Sequence, residues 1–131
     1  MASTLEKFMG GPFRPSKEKM YVSLSEKGIL LMNRNAYEAF GVPDAVVFFF
    51  DRKTNVIVLS PSHRELREAF PVQAKESHFY LKASPFCKHF GIRIEKTEQF
   101  LYPQIDDEGL LRLDLTQTVS VAQRKPRVRR R

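Results

Sequence analysis

Three groups of residues in this chain are of types that could do chemistry. The first is Cys87-Lys88-His89, which sets two metal-ligating side chains two residues apart, with His78 nine residues upstream of Cys87 and His63 further back. A structural zinc site takes about four ligands, and a catalytic one about three plus a water. This set offers three at close range and a distant fourth, in a spacing that follows no zinc pattern. Phe86, Cys87 and Phe90 instead make one apolar face of a short helix, with His89 on its edge. The expectation is therefore a buried, inert thiol, with no metal and no cofactor. Catalysis by Cys87 would also need a placed histidine and an orienting group, so no catalytic residue is assigned.

The second group is acidic. Asp106, Asp107, Glu108 and Asp114 gather around one turn and the strand after it. They read as a solvated hairpin tip, with docking of a basic segment as the functional alternative. The third group is basic. Arg124, Lys125, Arg127, Arg129, Arg130 and Arg131 place six positive charges in the last eight residues, with no negative one. Six like charges that close together repel one another, and the segment lacks the apolar residues to pack. It reads as an arm for polyanions. No aromatic residue interleaves with the cations, so the contacts would be to phosphates rather than to stacked bases.

The tail accounts for nearly all of the chain's basicity. The 131 residues carry 22 Lys and Arg against 15 Asp and Glu, a net charge of +7. Without the tail, 16 cations face 15 anions and the remainder is at +1. A nucleic-acid groove built into the body would need a basic body, so the charge pattern favours an appended arm. With 42% apolar and 28% charged residues the chain suits a folded domain. Its longest apolar run is residues 45–50, far short of the roughly 20 needed to span a membrane. No membrane partner and no secretory signal are expected. One cysteine excludes an intramolecular disulfide and fits a reducing, cytoplasmic setting.

The elements that must position these groups are short. Ser3 with Glu6 has capping-box spacing, so residues 4–9 are predicted to turn helically within a leader, 1–19. Met20, Val22 and Leu24 alternate with Tyr21, Ser23 and Ser25 as a strand. Glu26-Lys27-Gly28 is a turn, and 29–32 a second strand. Asn33 or Asn35 caps a short helix, 34–40, stopped by Gly41. Residues 46–50 and 56–59 form a hairpin that ends at Ser60-Pro61. Ser62 with Glu65 predicts a helix over 63–70. Residues 79–83 read as a strand, Ser84-Pro85 opens a helix closed by Gly91, residues 92–95 alternate as a strand, and 111–115 form the last clear strand. Phe48, Phe49 and Phe50 are consecutive, so one must leave a one-sided core unless both faces of the strand are covered, as in a dimer.

Residues 20–60 thus run strand, Glu26-Lys27-Gly28 turn, strand, a short helix ending Phe40-Gly41-Val42, and a hairpin. This resembles the swapped-hairpin domain of the AbrB, SpoVT and MazE type, found in bacterial and archaeal transcription regulators and antitoxins. The resemblance implies an obligate homodimer, with the strands of two chains interwoven in one barrel, and DNA as the partner. Three positions depart from the family pattern. Ile29 stands where the family has Arg or Lys after the turn glycine, Asn33 where it has proline, and Tyr37 and Glu38 where it often has basic residues. Lys27 and Arg34 are left as the phosphate contacts of the matched surface. Asp107-Glu108-Gly109-Leu110 echoes Glu26-Lys27-Gly28-Ile29, although two unrelated glycine turns explain it more simply.

The expected fold is a β-rich α+β class: a swapped-hairpin-like β-barrel dimer (20–60), a second small β-rich half with short helices packed on the first (61–121), and a basic tail (122–131). The expected function is non-enzymatic DNA binding, as an AbrB-like regulator or small nucleoid-associated protein, through the six tail cations with Lys27 and Arg34 in support. DNA is preferred over RNA. The alternatives are a dimeric scaffold whose second half binds a partner protein, and an RNA-associated protein.

Overall fold

Val22 and Leu24 fall on the strand β1 (Val22–Leu24), which pairs antiparallel with β2 (Ile29–Asn33) and sets them opposite Met32 and Leu30. All four side chains are buried. The computed structural model describes residues 19–76 and 78–121, so the predicted leader helix and the basic tail lie outside the described residues. The turn between β1 and β2 requires Gly28. Its φ is +80°, a left-handed conformation, and a Cβ there would lie 2.7 Å from the Ser84 Cα.

Asn33 ends β2 and caps α1 (Arg34–Ala39). Its Oδ1 accepts the N–H groups of Ala36 at 2.9 Å and Tyr21 at 3.1 Å, and its Nδ2 donates to the Lys19 carbonyl at 3.0 Å. One side chain thereby ties the helix start to the entry of β1. Gly41, at φ +98°, ends the helix. The chain then forms the hairpin of β3 (Ala45–Asp51) and β4 (Val56–Ser62). Phe48 stacks on Phe86 at 4.8 Å and meets Phe70 edge-on at 4.9 Å, while Phe50 lies 5.3 Å from Phe90. Phe49, on the opposite face, stays 53% exposed. The three-phenylalanine conflict is met by leaving one ring at the surface of the chain.

The remaining elements are β5 (Phe70–Pro71), β6 (Gln73–Lys75), β7 (His78–Lys82), α2 (Ser84–Phe90), β8 (Glu98–Phe100), β9 (Gln104–Ile105), β10 (Leu111–Asp114) and β11 (Thr118–Ser120). They assemble with the first four strands into two antiparallel sheets. One has six strands in the order β11-β8-β1-β2-β7-β6, and the other five in the order β5-β3-β4-β10-β9. Leu30, Met32, Leu81 and Phe100 from the first sheet join Val46, Ile57, Leu59, Leu111 and Leu113 from the second in a single buried cluster.

The strand orders reveal a duplication. Hairpin, helix and second hairpin occur twice, as β1-β2-α1-β3-β4 and as β6-β7-α2-β9-β10. Within the first sheet the four strands of the two units read β1-β2-β7-β6, and within the second β3-β4-β10-β9. Each order is a palindrome of one unit against the other, joined by an antiparallel pair: β2 with β7, where Leu31 faces Tyr80, and β4 with β10, where Leu59 faces Leu111. Antiparallel neighbours are related by a local two-fold, so the two units pack as two copies would. The sequence carries the same register at the helix ends, where Phe40-Gly41-Val42 returns 50 residues later as Phe90-Gly91-Ile92. β5, β8 and β11 lie outside the two units, β5 beside β3 and the β8–β11 pair beside β1.

The β-rich α+β class expected from the sequence is what forms, and several finer expectations are corrected. The described residues make no closed barrel, because β11, β6, β5 and β9 remain edges rather than pairing with one another. The hairpins of the two units pair with each other within one chain. The helix predicted over 63–70 is absent. Its cap residue Ser62 belongs to β4, which runs past Pro61, and Leu66 and Ala69 donate only to the carbonyls three residues back. With Leu66 itself exposed, that stretch has no apolar face to bury. Residues 92–95 form no strand. The Ile92 N–H turns back to the Cys87 carbonyl at 2.9 Å, and Ile92 and Ile94 pack on the core from a loop. Ser84 lies inside α2 rather than capping it. The glycine echo is also out of register: Gly109 sits in the β9–β10 hairpin, so its counterpart is the tip of β3–β4 and not Gly28.

Candidate nucleic-acid interface

Among the described residues, 13 Lys and Arg face 13 Asp and Glu, so this part of the chain is neutral. Residues 1–18 add +1, and the tail adds +6. Arg124, Lys125, Arg127, Arg129, Arg130 and Arg131 lie outside the described residues. Their point of departure does not: β11 pairs with β8 at the edge of the six-stranded sheet, and Val121 donates to the Thr97 carbonyl at 3.0 Å just before the tail begins.

The two body residues expected to touch phosphate have different fates. Arg34, at the start of α1, lies 3.9 Å from Glu38 one turn on, with both side chains more than half exposed. Lys27 is exposed in the β1–β2 turn, which Ser25 holds by accepting the Lys27 and Ile29 N–H groups on its Oγ, both at 3.2 Å. Because the turn abuts the start of α2, Lys27 shares a groove of about 280 Å³ with Lys88 and Arg93. A larger cleft of about 580 Å³ lies across the Ile92–Glu95 backbone, with Phe50, Arg52, Phe90 and Arg93 among its walls. The Arg52 guanidinium sits 5.1 Å from the Phe90 ring centroid, a cation–π distance. Arg52, Lys88 and Arg93 carry no sequence motif that marks them. The signal that could have grouped them is the recurrence of Phe-Gly-apolar at helix ends, which sets α2 against the first turn.

The possible catalytic and metal residues do not converge. No group of three or more His, Cys, Asp or Glu able to hold a metal occurs among the described residues. His78 stands on β7 opposite Asn33, whereas Cys87 is buried in α2 and His89 meets the Phe90 ring edge-on at 4.7 Å. Burial pushes the Cys87 thiol up, away from the thiolate a nucleophile needs. The acidic cluster serves its own turns. Asp106 accepts the Glu108 and Leu110 N–H groups at 2.9 and 3.0 Å and the Arg112 Nε–H at 3.0 Å. Asp114 accepts the Thr116 N–H and Oγ1–H at 2.9 and 2.7 Å.

A third concavity, of about 850 Å³, opens beside Met20, Tyr21, His78 and Phe100, rimmed by Leu101 and Tyr102, which are 44% and 63% exposed. No helix among the described residues is long and apolar enough to cross a membrane. Comparison of the chain with protein-family models, with curated proteins and with solved structures finds no match.

Proposed function

We propose that this chain binds nucleic acid, DNA first, by holding phosphates with its C-terminal arm, and that the two-sheet body is a non-enzymatic platform for that arm. One observation carries the reading: the body is charge-neutral, and six of the seven net charges sit in the last eight residues. The duplicated unit supports a likeness to swapped-hairpin regulators, with one chain supplying both copies of the hairpin unit that the family draws from two. We therefore take the particle to be a monomer of 15.2 kDa. Sedimentation at twice that mass would restore the homodimer and give each particle two arms.

The test is duplex binding by the full chain and by residues 1–121 across a salt series. Six phosphate contacts give a log–log salt slope of about −5, and a loss of roughly a thousandfold between 50 and 200 mM salt. Removal of the arm should take away most of the affinity and most of that slope. Equal binding by the two forms would refute an arm-based mechanism. Competition with RNA of the same length separates the two nucleic acids, since phosphate contacts alone do not distinguish them. A protein-interaction role is the second reading, favoured by Leu101 and Tyr102 standing exposed beside the 850 Å³ groove.

A further inference from the structure

We propose that the body adds a second phosphate-binding surface, centred on the loop after α2 and formed by Lys27, Arg52, Lys88 and Arg93. The inference rests on the nucleic-acid reading above and names where the polyanion lies on the folded part. The four cations come from separate stretches of sequence: the β1–β2 turn, the β3–β4 tip, α2 and the loop beyond it. The fold brings them to two clefts that share the Ile92–Glu95 backbone and therefore adjoin. Lys27 and Lys88 are on one side, Arg52 on the other, and Arg93 lines both.

What sets these four apart is their convergence on adjoining clefts and not the lack of an ion pair, which they share with most cations of the body. Among the described residues the Lys and Arg ion pairs are Arg34 with Glu38 and Arg112 with Asp106, both in other regions. Glu26 and Glu95 also line the smaller groove, and Glu95 and Glu98 the larger, so four cations face three acids and the surface is only slightly positive. The duplication provides an internal control. Lys88 occupies in α2 the place that Glu38 occupies in α1, and Ser84 the place of Arg34. The α1 helix closes its charges on itself, while α2 presents a cation with no acid one turn before it. The ligand this surface fits is a phosphodiester backbone. Its anions would meet Lys27, Lys88 and Arg93, and the Arg52 guanidinium lying over Phe90 gives one planar face at the end of the track.

The experiment uses the full chain and a labelled duplex of about 20 base pairs in a salt series, with K88E/R93E as the main variant and K88Q/R93Q as the second. The expected result is a loss of about tenfold or more for K88E/R93E and a smaller loss for K88Q/R93Q, with the salt slope lower by about 2 in each. Both variants change exposed side chains, and an unchanged thermal midpoint checks the fold. If both bind with the parent affinity and slope while the 1–121 form does not bind, the arm works alone: this inference is overturned and the reading above stands. If the full chain binds no duplex at any salt, both are overturned together.

Discussion

The two halves of this body share a plan and differ in how they spend their charges. In the first unit, Arg34 and Glu38 face each other along α1. In the second, the matching helix keeps Lys88 and lacks the acid. At the hairpin tips the contrast is reversed. Asp106 holds Arg112 at 3.0 Å in the second unit, whereas Arg52 in the first leaves Asp51 and lies over the Phe90 ring. Four cations outside these ion pairs, two from each unit, therefore meet around the loop after α2. Duplication supplies a stable double layer, and divergence of exposed residues then makes one surface differ from its counterpart without touching the core.

The largest effect should come from breaking the seam between the units. Leu59 and Leu111 face each other across β4 and β10 and are both fully buried. Leu59→Ala should cost about 3–5 kcal/mol. Because the buried cluster is continuous across both units, the loss should appear as a lower midpoint of one transition followed by circular dichroism and by tyrosine fluorescence alike. Two separated transitions would show that the units fold independently and that the seam is only a contact.

Glycine sharpens the comparison next. Gly28 and Gly109 have the same φ of +80°, yet only Gly28 meets a neighbour, the backbone of Ser84. Gly109→Ala should cost about 1–2 kcal/mol, the strain of a left-handed alanine. Gly28→Ala adds a clash with the start of α2 and should cost about 2–4 kcal/mol. Equal losses in denaturant titrations would mean that the β1–β2 turn is not held against α2.

Much of this plan was legible in the sequence wherever a local rule applied. The alternation of Val22 and Leu24, the glycine stops after Phe40 and Phe90, and the polar connection at 51–55 all mark elements that form, although Asp51 itself ends β3. The failures are tertiary. Ser62 and Glu65 have the spacing of a helix start, but β4 continues through Ser62 because Ala45 pairs with it. Ile92 and Ile94 alternate like a strand, yet they bury their side chains from a loop. Glycine turns recur in any β protein and do not mark the repeat, whereas Phe-Gly-apolar does, because there a helix end must meet a core. The cations of the body are harder still to see. Lys27, Arg52, Lys88 and Arg93 are unremarkable singly and become a group only through the pairing of the two units.

A charge exchange tests whether that grouping matters. Glu38→Lys gives α1 the residue that α2 carries. It removes an exposed ion pair worth a few tenths of a kcal/mol, so the thermal midpoint should hardly move. Duplex affinity should change by less than about twofold, since α1 lines neither of the clefts around the loop after α2. A rise of several-fold would show that any further cation on the body reaches phosphate and that the grouping around α2 has no special part.

The smallest effect concerns what the two tips have kept in common. Asp51 accepts the Lys53 N–H at 3.0 Å and Asp106 accepts the Glu108 N–H at 2.9 Å, so each hairpin opens its turn with the same aspartate device. Both carboxyls lie below their usual 3.8. The Lys53 backbone N–H is the chief cause for Asp51, with the Thr54 side chain next, and the Leu110 N–H is the chief cause for Asp106, with Arg112 also contributing. A carboxylate that binds its proton less readily when folded stabilises the fold above pH 3.8, and that contribution is lost as pH falls through the lower, folded value. Stability measured from pH 5 downward should therefore decline on acidification, only slightly because both groups are open to solvent. Asp51→Asn and Asp106→Asn keep an oxygen to accept the turn N–H and remove the titration. Each should flatten the decline by a similar small amount. If only Asp106→Asn does so, and Arg112→Ala reproduces it, the Arg112 contact rather than the shared turn sets the acid response, and the tips have diverged in this respect as well.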